Sequence, residues 1–531
     1  MGRVTTVQRP QGDPGLPPSP PRVSDEEFGR LIAPRCQEAL RLAGYLAGHE
    51  AARLRLTRPL LGEILHQTTE LEELLDAYGA RNNESWRLFR STVAAAKLFA
   101  DVGYVLLHIQ HSIPAYRLLE IEGNFAAATK EAIAFTAGVL LEISRRFVRQ
   151  ADERNIPGPA GAARDADFAE HLPPGRLTHT CRPGKDADPG ETVTYLATAF
   201  LDQAAESDLL HTPGRVSPEK YPECVPGSVS EEKLRRLQHQ FHNLQSLYDT
   251  FVAETDAERQ TADLPVLRGH VSVIFHLLET ATLFAHFYER HVMGHVAQAP
   301  GDPGTMVGGD RLLHVMMTYS MVYASRYLIR ARNLCQEMLR RFAKIGRIEV
   351  AGPKYRGFHV RPSTLVAKIV RHYGSEVKMA LDGATFDAAS PMDIFRANEK
   401  INRQKRNWLV SQLGGLSCLR QSDFASDLVQ AVRRVVLDLA EQSKVFIYQR
   451  PLPIQPPDED DADKTPMQYV LDEVKRLQAT GVIDIDTEIR VAFIGDQRVL
   501  NDLRLLADNG YGEDNFGNNI PLPEELSYVR R

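Results

Sequence analysis

Cysteine is scarce in this chain: Cys36, Cys181, Cys224, Cys335 and Cys418 are the only five in 531 residues, odd in number and never in a C-x-x-C pair. A disulfide-stapled fold and a thiolate zinc site therefore lack a sequence basis, and a reducing, cytoplasmic compartment is the expectation. A basic excess is missing too, because 63 Lys and Arg stand against 69 Asp and Glu for a net charge of -6. Without it there is no global drive toward phosphate backbones, so no nucleic-acid partner is expected. The short basic runs at Arg340-Arg341 through Arg347 and at Arg403 through Arg406 read as solvated helix faces. Apolar runs are interrupted by Lys97 and Asp101 within 92–109 and by Glu142 near the end of 132–143, short of the roughly 20 apolar residues a bilayer crossing needs. No membrane partner follows. Also missing are a Walker loop, G-x-G-x-x-G before a helix, H-E-x-x-H and G-x-S-x-G, so no cofactor, nucleotide site or hydrolase site has a sequence argument.

What is there is an ordinary globular composition, 43% hydrophobic and 25% charged, spread over a length that exceeds one hydrophobic core. Residues 1–24 are rich in Pro and Gly and read as a disordered leader. Residues 25–150 carry apolar positions three and four apart, as in a helical bundle, with Leu65, Leu71, Leu74, Leu75 and Tyr78 on one face. A loop-rich connector with one helix at 191–209 occupies 151–229, and helical periodicity returns over 230–344. The two helical halves share anchors in the same order. His66-Gln67, Leu71, Leu74 and Asp76 match His239-Gln240, Leu244, Leu247 and Asp249. Leu98-Phe99-Ala100 matches Leu283-Phe284-Ala285, and Glu142, Arg145, Arg146 and Phe147 match Glu337, Arg340, Arg341 and Phe342. A duplicated pair of bundles is expected.

After Lys344 the period changes. Residues 347–350 and 376–381 alternate as strands do, with Val377, Met379 and Leu381 on one face. Asp382-Gly383 is a strong hairpin signal, and residues 362–373 carry Leu365, Val366, Ile369 and Val370 on one helical face before Gly374. The segment reads strand, loop, helix, strand, hairpin, strand.

The loop before that helix is Gly357-Phe358-His359-Val360-Arg361-Pro362. Pro362 suits a first helical turn, where a missing N–H costs nothing, so His359 sits at a helix N-terminus. Unpaired amides of such a helix start and the Arg361 guanidinium could receive a phosphate, with Gly357, Pro362, Ser363 and Thr364 as the phosphate-site loop and helix start, and a neutral imidazole can accept a phosphoryl group and pass it on. These residues resemble HPr, the histidine-containing phosphocarrier of the bacterial sugar phosphotransferase system, whose signature is a G-x-H-x-R-P loop opening its first helix, then a hairpin and a second helix begun by a regulatory serine. The resemblance implies that His359 accepts the phosphoryl group, that Arg361 is its electrostatic partner, and that Ser390, in Ala389-Ser390-Pro391-Met392, stands at the regulatory serine. By its own chemistry Ser390 is an N-cap. The family's last strand and helix reappear at 488–495 and 496–509, so an insertion at about 402–484 splits a domain spanning 345–515, ahead of a tail at 516–531.

The fold class expected is thus α+β and multidomain: duplicated all-α bundles followed by an HPr-like open-faced β-sandwich with a largely helical insertion. The expected function is a phosphocarrier or phosphorylation-dependent regulator using His359, with an enzyme I-like phosphoryl donor and a protein phosphoryl acceptor as partners. The alternative is a non-phosphorylated docking scaffold with a helical sensor. An enzyme centred on the histidine-rich segment is a third reading, since eight of 17 histidines fall between His239 and His314. There His286, His291 and His295 are weak metal candidates that read more simply as solvated or core-edge side chains.

Overall fold

The computed structural model describes residues 22–50, 53–170, 188–293, 307–413, 427–457, 464–486 and 489–530. The expected leader up to residue 21, Cys181, Cys418 and His295 lie outside them. The protein is mostly helical with a small antiparallel sheet, an α+β arrangement.

The first half begins with α1 (Asp25–Ala47), α2 (Arg58–Ala77), α3 (Arg87–Ser112) and α4 (Phe125–Asp152). Ser24 opens α1 with a capping box, and Thr57 and Asn124 cap α2 and α4 through their side chains. A second set follows: α5 (Pro189–Ala205), α6 (Glu231–Phe251), α7 (Asp263–Phe287) and α8 (Val322–Arg341), the last entered through Gly309–Val315 and a wide π turn at Met316–Met321. The helix within the expected connector, α5, packs as a member of this second set. Contacts run in the same cyclic order in both: α1 against α2 and α4 with α3 joining α2 to α4, and α5 against α6 and α8 with α7 joining α6 to α8. The sets meet along α3 and α7.

His66 and His239 are equivalent surface points, each the ninth residue of its helix. Asp76 takes a forked pair of bonds from Arg90 (2.8 and 2.6 Å), and Asp249 takes the same fork from Arg268 (2.9 and 2.7 Å). The second pair of anchors behaves differently. Phe99 sits mid-way along α3 and Phe284 near the end of α7, and the two rings face each other across the junction, centroids 6.3 Å apart.

Residues 87–115 and 263–292 are long and apolar enough, by length and composition, to cross a membrane, but 72% of each apolar window is buried in the protein. The polar residues that interrupt them find partners: Lys97 pairs with Glu72, and the His108 and His276 rings meet at 4.3 Å. Desolvation first, and the Glu279 charge second, push half-buried Asp101 up to about 6 from its ordinary 3.8. A carboxyl raised on folding leaves stability intact below its unfolded pKa and withdraws it as pH rises through the folded value. Asp101→Asn should therefore stabilise the protein at pH 7, by up to roughly 3 kcal/mol, with the gain vanishing toward pH 4. Urea unfolding at the two pH values checks this, and an equal gain at both would refute it.

The last third is built on a four-stranded antiparallel sheet in the order β1-β6-β2-β3, from β1 (Ile345–Ala351), β2 (Val377–Leu381), β3 (Ala384–Asp387) and β6 (Arg490–Asp496). Asp382 and Gly383 both have positive φ (48° and 72°), the geometry of the tight hairpin their sequence announces. Val350, Met379, Val491 and Phe493 are buried under α9 (Val360–Tyr373), α10 (Pro391–Leu413) and α13 (Gln497–Asp508), whereas Arg347, Glu349, Lys378 and Arg490 are not. Leu365, Val366, Ile369 and Val370 form the buried face of α9, and Gly374 ends it at φ 63°.

The insertion boundary expected at Asn402 falls inside α10, which runs on without a break. Beyond it α11 (Leu428–Glu441), β4 (Val445–Ile447), α12 (Pro466–Ala479) and β5 (Ile483–Ile485) close a core of their own around Val435, Val436, Val474 and Leu477, with β4 and β5 paired. The segment expected as a tail is packed rather than free: Leu522, Leu526 and Val529 are buried in the main core.

Candidate functional site

His359 is the N-cap of α9 (φ -74°, ψ -168°), and its side chain makes no capping bond. Helix entry forces the preceding chain into a tight turn. Arg356 and Gly357 both take positive φ (52° and 61°), and a Cβ on Gly357 would lie 2.2 Å from Asn398 Oδ1. Glycine is thus required there twice over, by dihedral and by space. Asn398, on α10, accepts the Phe358 N–H at 2.8 Å and donates to the Arg356 carbonyl at 3.1 Å. Pro362 is buried in the first turn, the Ser363 hydroxyl donates to the Phe358 carbonyl at 2.8 Å, and the Thr364 hydroxyl donates to the Val360 carbonyl at 2.6 Å. Neither hydroxyl is held out toward a ligand.

The imidazole is not alone. His359 Nε2 lies 2.8 Å from Oε2 of Glu513, a carboxylate whose side chain is only 6% exposed. Arg361 Nε is 3.7 Å from the other oxygen of Glu513, and Arg361 also donates to Asn519 Oδ1. Both expected residues are therefore held by one loop that follows α13. Tyr355 sets its ring edge-on to His359 at 5.5 Å and against Tyr448 of the insertion at 4.9 Å. A groove of about 530 Å3 leads away from Arg361 and Thr364 along α9 past Lys368 to Arg530, with no carboxylate among its described lining residues.

The insertion reaches this site through Asp484. Its carboxylate accepts the Arg356 N–H at 3.0 Å and pairs with Lys405 Nζ at 2.9 and 2.8 Å, both side chains being 4% exposed. Arg356 also donates to the Gly481 carbonyl at 2.6 Å. The insertion is thus fastened to the turn that presents His359.

The remaining expected residues lie elsewhere. Ser390 caps α10, its hydroxyl accepting the Asp393 N–H at 3.2 Å, and the carbonyl of its neighbour Ala389 accepts from Arg371 in the last turn of α9, whereas His359 stands before the first turn of that helix. His286 Nδ1 is 3.0 Å from Glu231, while His291 stacks on Phe287 at 5.0 Å and is pushed down to about 4, by burial first and then by His286 and Arg90. Among the described residues no group of three or more His, Cys, Asp or Glu side chains is arranged to hold a metal ion. A second cavity, of about 870 Å3, opens between α5 and the start of α13 beside Tyr195, Phe342 and Tyr373, and contains none of the expected residues.

Sequence reasoning missed Glu513, Asn519, Asn398 and Asp484, and it read Lys405, within the basic run Arg403 through Arg406, as part of a solvated helix face, whereas Lys405 is buried against Asp484. Only the run of glycines around Glu513 (Gly510, Gly512, Gly517), all at positive φ, marks an ordered turn in advance. Lys405→Ala would leave the Asp484 charge buried and unpaired, and should cost about 3–5 kcal/mol in chemical denaturation. A loss below roughly 1 kcal/mol would mean that the pair is solvated. No protein-family model matches the chain, nor does any curated protein or solved structure.

Proposed function

We propose that this protein is an HPr-like phosphocarrier or phosphorylation-dependent regulator that accepts a phosphoryl group on His359. The observation that carries the reading is the placement of His359 at the start of α9, one imidazole nitrogen engaged and the other bonded to no described residue, with the Arg361 guanidinium two residues on. The order of elements supports it: strand, histidine loop, helix, hairpin, helix, then a strand between β1 and β2 and a closing helix, in keeping with the open-faced sandwich inferred from the sequence. The basic groove past Lys368 and Arg530 suits a donor or acceptor protein that offers an acidic surface. On this reading the helical half is a duplicated bundle that couples phosphorylation to a partner, and the repeated Asp76–Arg90 and Asp249–Arg268 forks speak for the duplication.

A docking scaffold without phosphorylation is the second reading. What favours it is the crowding of the histidine, since the insertion reaches it through Tyr448 and Tyr355.

The two separate on one measurement. Incubation of the full chain with phosphoenolpyruvate and an enzyme I from the source organism should place a single acid-labile, base-stable label on the protein, lost in His359→Ala. Arg361→Ala should slow labelling about ten- to a hundredfold by removing a charge-assisted contact to the transferred group. A label that survives acid and persists in His359→Ala would refute the assignment, and no label from any phosphotransferase donor would favour the scaffold.

A further inference from the structure

We infer that Glu513 is a positioning residue that decides which nitrogen of His359 takes the phosphoryl group, by binding the Nε2–H and leaving the lone pair on Nδ1. The inference rests on the reading of His359 as a phosphoryl acceptor.

An ionised carboxylate can only accept hydrogen bonds, and a neutral imidazole carries one N–H and one lone pair. At 2.8 Å from Glu513 Oε2, His359 Nε2 must therefore be the donor. Arg361 Nε, 3.7 Å from Oε1, places a positive group beside the same buried carboxylate. Nδ1 then carries the nucleophilic pair on a ring that keeps a quarter of its surface exposed.

Glu513 is well anchored for this task. Tyr511, two residues earlier, is fully enclosed, donates its hydroxyl to the Ala351 carbonyl at 2.8 Å and packs its ring edge against Phe358 at 5.3 Å. The Glu513 N–H bonds the Gly510 carbonyl at 3.2 Å, and Glu513 forms a strand-like bridge with Asn519. The carboxylate is thus tied to both sides of the histidine loop, to Phe358 through Tyr511 and to Arg361 through Asn519. A group that held the ring only by packing would not need a charge here, and a buried carboxylate without a partner would be costly.

In the transfer, the Nδ1 pair forms a P–N bond as the bond from phosphorus to the donor's leaving atom breaks and its electron pair departs with the donor. The product is first a phosphoimidazolium, whose Nε2–H already points at the Glu513 carboxylate. Passing that proton to the carboxylate and on to solvent leaves neutral phosphohistidine. The positive charge that develops on the ring therefore appears beside a preplaced negative one.

A test that needs no protein partner is phosphorylation of the full chain with phosphoramidate, whose own P–N bond breaks with ammonia as the leaving group. The isomer formed at His359 is read by 31P and 15N NMR. The Nδ1 isomer should predominate in the unmodified chain, and Glu513→Ala should lower the Nδ1 to Nε2 ratio by about tenfold or more, the worth of one hydrogen bond to a charged group. Asn519→Ala loosens the same loop while leaving Glu513 in place, and should keep the ratio. A predominance of the Nε2 isomer in the unmodified chain, an unchanged ratio in Glu513→Ala, an equal fall in Asn519→Ala, or an unlabelled His359 while other histidines react would each overturn the inference. If Glu513→Ala fails to fold, Glu513→Gln, which keeps the side chain's shape but loses its charge and can donate to Nε2, should lower the ratio in the same direction, and an unchanged ratio there would overturn the inference. Nδ1 labelling by phosphoramidate together with no labelling by any protein donor would uphold the role of Glu513 and remove the phosphocarrier reading.

Discussion

The strand β6 is the constraint on which the last third of the protein depends. It pairs with β1 along one edge and with β2 along the other, so the sheet has no middle until residue 490 is in place. Its close fit is visible at Gly495, where a Cβ would come within 2.6 Å of the Glu376 carbonyl. Everything the chain inserts between α10 and β6 must therefore return to a fixed point. The buried Lys405–Asp484 pair marks that return, joining the far end of the insertion to the helix from which it left.

The same pair explains why the insertion is not a passenger. Asp484 accepts both the Lys405 ammonium and the Arg356 N–H, so one carboxylate ties the insertion, α10 and the histidine turn together. Breaking such a buried pair on one side costs far more than the pair contributes as a whole. The insertion has its own apolar core, yet its edge is part of the main domain's polar framework.

How much was legible in the sequence follows the range of the interactions. The buried face of α9 and the alternation of β2 are set by neighbours two to four residues apart, and periodicity reveals them. The Asp382-Gly383 turn is likewise a local conformational demand. The run of α10 past Asn402 was hidden because nothing there breaks a helix, and the change of domain occurs along a continuous rod. Glu513 was hidden for the opposite reason. It meets His359 across 154 residues, from a turn with no periodicity at all. The repetition is uneven: the Phe99 and Phe284 anchors lie at different depths in their helices, with ring centroids 6.3 Å apart across the junction.

The order in which the site is assembled has a consequence for the growing chain. The turn that carries His359 leaves the ribosome long before Asp484, β6 and Glu513 exist, so the nascent protein holds an imidazole without its clamp, its turn without its anchor, and two strands with unpaired edges. Unpaired edges of this kind invite mispairing with other chains. The arrangement makes the histidine's surroundings a product of completed synthesis, and confines the vulnerable interval to the time needed to make the insertion.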